Sequence, residues 1–142
     1  MQCASLIDTL HYALRELELR KADNDLEAEL QNIPRLMERA KQSHAAVMSA
    51  TGGRDSGRYQ LWLSEYEVDL ASAKSLEDQV PKPNDNYEKM SHSELETKLV
   101  LVHAIHSKAI HLSEKYRALI DMDDKEREQI RADVRVRTQA KL

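Results

Sequence analysis

Three of the six histidines in this 142-residue chain, His103, His106 and His111, lie close together in the sequence. His103 and His106 are one helical turn apart. That spacing sets two imidazoles near one helix face, where a divalent metal could take both together with carboxylates from a facing helix. Di-metal sites in helical proteins carry a repeated Glu-x-x-His. This chain has only Asp8-x-x-His11 and His111-x-x-Glu114, one of each and in the wrong form. At roughly 100° per residue, His106 falls at the edge of an apolar stripe, His103 about 60° off it and His111 toward the polar side. The expectation is ordinary interface or surface histidines. A metal-dependent helical enzyme using His103 and His106, or a pH-responsive contact, is the alternative.

Other routes to chemistry are thinner. Cys3 is the single cysteine, so no internal disulfide can form, and it reads as a free thiol of a reducing compartment. No Gly-x-Ser-x-Gly elbow presents a nucleophile. The glycines all fall in Thr51-Gly52-Gly53-Arg54-Asp55-Ser56-Gly57, which lacks the strand and the Gly-Lys-Ser/Thr ending of a phosphate-binding loop and reads as the turn between two helices. Asp121-Met122-Asp123-Asp124 has Glu126 and Ala132 where a calcium loop needs glycine and glutamate. No enzyme and no cofactor are expected.

Binding is better supported by the residues. Tyr59, Trp62 and Tyr66 place half of the aromatic side chains within two turns, and amphipathic aromatics are enriched at contact hot spots. They fit either the core of a helical hairpin or a partner-binding patch. Toward the other end, Lys125, Arg127, Arg131, Arg135, Arg137 and Lys141 outnumber Glu126, Glu128 and Asp133. A basic helix of this kind can touch phosphates, which makes nucleic-acid binding the alternative function, although no aromatic interleaves the arginines to stack on bases.

The charge balance argues against a general attraction to anions. Residues 1–71 hold eight basic and twelve acidic side chains, and residues 72–142 hold thirteen of each, for a net charge of −4. No apolar run reaches the roughly 20 residues a membrane span requires, and Met1-Gln2-Cys3 leaves no room for a leader, so a cytoplasmic protein is expected.

These residues must be positioned by helices. Gly and Pro number three each, and Leu, Ala, Glu, Lys, Arg and Gln dominate, which predicts an all-α fold. Leu6, Leu10, Ala13 or Leu14, and Leu17 open the first helix in four-three-four steps. From Tyr12 a cleaner order sets in, with Leu19, Leu26, Ile33, Ala40 and Val47 every seven residues and Leu30, Met37 and His44 between them. That is the pattern of a coiled-coil-like seam. It keeps its phase through Pro34, which predicts one helix kinked there, even though proline in a helix interior costs about 3 kcal/mol. Tyr59, Leu63, Tyr66, Leu70, Ala73, Leu76 and Val80 define the face of a second helix. Pro81 and Pro83 begin a linker, and Ser91 with Glu94 or Ser93 with Glu96 caps a central helix whose stripe runs from Leu95 to Ile120, with Val100 and Ala104 on its far side.

The expected architecture is a single all-helical domain, an antiparallel bundle with an extended coiled-coil-like N-terminal hairpin. Four helices are placed near residues 5–50, 57–80, 92–121 and 124–140, with a linker over 81–91. Its apolar faces exceed what one copy can hide, which predicts a homodimer or a complex with another protein. No motif is specific enough to place the chain in a family.

Overall fold

The computed structural model describes residues 2–50, 56–80 and 89–140, and every regular element among them is a helix. There are three: α1 (Gln2–Ala50), α2 (Ser56–Gln79) and α3 (His92–Ala140). The glycine turn and most of the proline linker lie outside the described residues. No helix among those described is long and apolar enough to cross a membrane.

α1 runs unbroken through Pro34, because the side chains around the proline are committed to one packed line. Leu26, Leu30, Ile33, Met37 and Ala40 are all buried, together with Leu19, Val47 and His44 farther along. Burial of so many large side chains outweighs one missing backbone hydrogen bond. At the start of α3, the Ser91 hydroxyl accepts a hydrogen bond from the Glu94 N–H at 3.2 Å. This is the first of the two caps that the Ser-x-x-Glu spacing allows.

The fourth helix is a correction. A break was expected at Asp121–Asp124, yet α3 continues to Ala140. Aspartate lowers helix propensity by only about 0.7 kcal/mol, and no glycine or proline stands there to enforce a stop. One of these aspartates, Asp123, is buried and held by a partner on α1.

Cross-helix pairs give the directions. The Tyr12 hydroxyl donates to the Met90 carbonyl at 2.6 Å, Arg15 pairs with Glu96 at 2.8 Å and His44 meets Asp123 at 3.0 Å, so α1 and α3 run parallel. α2 runs antiparallel to α3, with Arg58 at Glu126 and Lys115 at Glu65 and Asp69. The seam of α1, expected to close a first hairpin, therefore closes mainly on α3. The buried stripe of α3 answers it with Leu95, Leu99, Val102, Ile105, Ala109, Tyr116 and Ile120. α2 covers only the later half of this pair. Its Leu70 and Ala73 meet Leu30, Ile33 and Met37 around one small cavity, while Leu19 and Leu26 are sealed near the start of α3.

Candidate functional site

Two places gather side chains that could act, one inside the three-helix end and one outside the two-helix end. At the first, the seven-residue seam brings His44 to a position where a leucine would ordinarily sit. Its ring stacks on Trp62 at 4.5 Å between centroids and on Tyr59 at 5.8 Å. Trp62 in turn stacks on Tyr66 at 5.5 Å, and Tyr66 meets the edge of Tyr116 at 6.2 Å. The three aromatics singled out from sequence thus form one ladder with His44. Tyr66 is buried, and Tyr59 and Trp62 are half-buried.

Polar groups thread this ladder. His44 Nδ1 lies 3.0 Å from Asp123 Oδ1, and both side chains are more than nine-tenths buried. The Tyr116 hydroxyl donates to Asp69 Oδ2 at 2.7 Å, and Lys115 Nζ donates to the same oxygen and to Glu65 Oε1, each at 2.7 Å. Burial first, and then the bond to Asp69 and its charge, push the Tyr116 hydroxyl well above the usual tyrosine pKa. Tyr66 is pushed up too, chiefly by burial and then by the charges of Glu38 and Glu67. For Lys115, burial works against the ammonium, but the bonds and charges of Asp69 and Glu65 together outweigh it and its pKa is raised.

The His44–Asp123 pair has the form of the orienting half of an acid–base relay. Its far nitrogen, Nε2, has no hydrogen-bonding partner, and neither has Asp123 Oδ2. The pair stands at the side of a groove of about 280 Å³ with Arg58, Leu61, Trp62 and Met122. The pair joins α1 to α3 through a buried polar contact. It fixes which turn of one helix faces which turn of the other.

The second place is the exposed side of early α1. Leu6, Ile7, Leu10, Leu14 and Leu17 are each 57–63% exposed. At 100° per residue their stripe is centred about 180° around α1 from the Tyr12–Leu19 seam, so it faces away from α3. α2 packs only against the later half of α1 and does not reach it. This surface was missed as a site from sequence, where the leucines were read as the opening of the core. The signal was present, because the four-three-four steps are out of phase with the seven-residue seam.

The remaining sequence candidates stay apart. His103 is exposed and His106 half-buried, and among the described residues no group of three or more His, Cys, Asp or Glu side chains is arranged to hold a metal. His111 lies with Lys108, Ser72 and Ser75 along an open groove between α2 and α3. Of the basic residues near the end of α3, Arg127 is half-buried and Arg131, Arg135 and Arg137 are exposed. Arg131 and Arg135 both pair with Glu128, at 3.6 and 3.1 Å, which spends part of their charge within the chain. No protein-family model, no curated protein and no solved structure matches the chain.

Proposed function

We propose that this protein is a non-enzymatic helical protein-binding module that acts through self-association or a partner protein. The observation that carries the reading is the leucine stripe of early α1, five large apolar side chains left outside on the side away from α3. Isolated exposed apolar residues are ordinary on any protein, but a contiguous stripe on one helix face marks a contact surface. The aromatic ladder fits this role as the rigid end of the molecule. Its rings are engaged with one another and with His44, which keeps the long helices in register while their free end meets another polypeptide.

A photo-crosslinking residue placed at Leu10 tests the reading in the native source, with the same residue at Glu67, exposed on α2, as the control. A discrete polypeptide adduct at position 10 and none at position 67 is expected. Equal labelling at both positions, or none at either, would remove the reading.

A further inference from the structure

We infer that the leucine stripe of early α1 is covered by the same stripe of a second copy, the two helices running antiparallel about a two-fold axis. This rests on the protein-binding reading and names the partner. The first support is self-complementarity. Leu6, Leu10, Ala13 and Leu17 are spaced four, three, four, an order that is the same from either end. A two-fold contact requires one patch to match itself in reverse. About an axis between His11 and Tyr12, Leu6 of one copy meets Leu17 of the other, and Leu10 meets Ala13. The small Ala13 leaves room for Leu10, and Leu14 and Ile7 close the flank.

Position is the second support. The stripe is turned away from α3, so a second α1 can lie along it without meeting α3 of its own or the other copy. It ends in Arg20, Lys21 and Asn24, which are charged or polar and bound the contact on that side. Area is the third. The exposed parts of five such side chains come to on the order of 500 Å² per copy, hence about 1,000 Å² buried in a pair, the lower limit for a specific interface. An interface of that size suits a reversible dimer and not a permanent one.

Two measurements test this. Sedimentation velocity over about 1–100 µM is expected to show a monomer–dimer equilibrium. Leu10→Glu should weaken it at least about tenfold with the helical content unchanged, while Val68→Glu, an equally exposed apolar position on α2, leaves it alone. In a Cys3→Ser background, copies carrying Leu6→Cys should form disulfides with copies carrying Leu17→Cys, and neither should do so with its own kind. A monomer at every concentration, a dimer indifferent to Leu10→Glu, or cross-linking of like with like would overturn the inference. A monomer that still gives an adduct to a different protein at position 10 would overturn the second copy and leave the binding reading standing.

Discussion

The two ends of the α1–α3 pair treat polar and apolar side chains in opposite ways. Where α2 lies over the pair, His44, Ser113 and Asp123 are sealed inside. Where α2 is absent, Leu6, Leu10, Leu14 and Leu17 stand outside. Two parallel helices bury one stripe each and leave their far sides to solvent, whereas a third helix creates an interior deep enough to need polar pairs for alignment. The end with the polar core closes over its buried groups, and the end with the leucines leaves a whole apolar stripe outside.

Substitutions at the three-helix end should therefore be costly. Asp123→Ala leaves His44 buried without its partner and is expected to lower stability by about 3 kcal/mol, read from the urea midpoint. Replacing both His44 and Asp123 by leucine should recover more than half of that loss, because the penalty comes from the orphaned group more than from the lost bond. Ile33→Ala, at a fully packed seam position, should cost about 3 kcal/mol in the same experiment.

Smaller effects follow at the edge of the ladder. Tyr116→Phe removes the hydroxyl bonded to Asp69 and should cost about 1.5 kcal/mol. The same hydroxyl sets an alkaline limit. The fold raises the pKa of Tyr116, so its contribution is fully present below the ordinary tyrosine value near 10. It is lost as the pH climbs above that value, where the unfolded chain ionises and the folded one resists. Tyrosinate absorbance from Tyr116 and Tyr66 should appear only as helicity is lost. Ionisation of Tyr116 and Tyr66 with helicity intact would break the claim that their hydroxyls are held by the fold. Least of all, Leu10→Ala should change the stability of dilute protein by under about 0.5 kcal/mol, as at any exposed position.

How much of this was legible depended on whether the cause was local. The cap of α3 involves residues three apart and was legible up to the choice between Ser91 and Ser93. The α1 seam was legible because a seven-residue repeat has few other uses, and Leu19, Leu26, Ile33, Ala40 and Val47 are indeed its buried line. The repeat does not say which neighbour fills it, and so α3 was not foreseen as the partner. Nor was the passage of α3 through Asp121–Asp124, since Asp123 is held by a histidine 79 positions away. The role of the early leucines turned on direction. Their phase was in the sequence, but that it points away from every other helix became clear only once α3 had a side.

Amide hydrogen exchange of dilute protein compares the two ends most directly. Residues 37–48 of α1 should be protected at every concentration, and residues 6–18 should exchange quickly when dilute and slow as a second polypeptide covers them. If residues 6–18 are as protected as residues 37–48 in the most dilute sample, the early part of α1 is held without a second polypeptide, which contradicts the account.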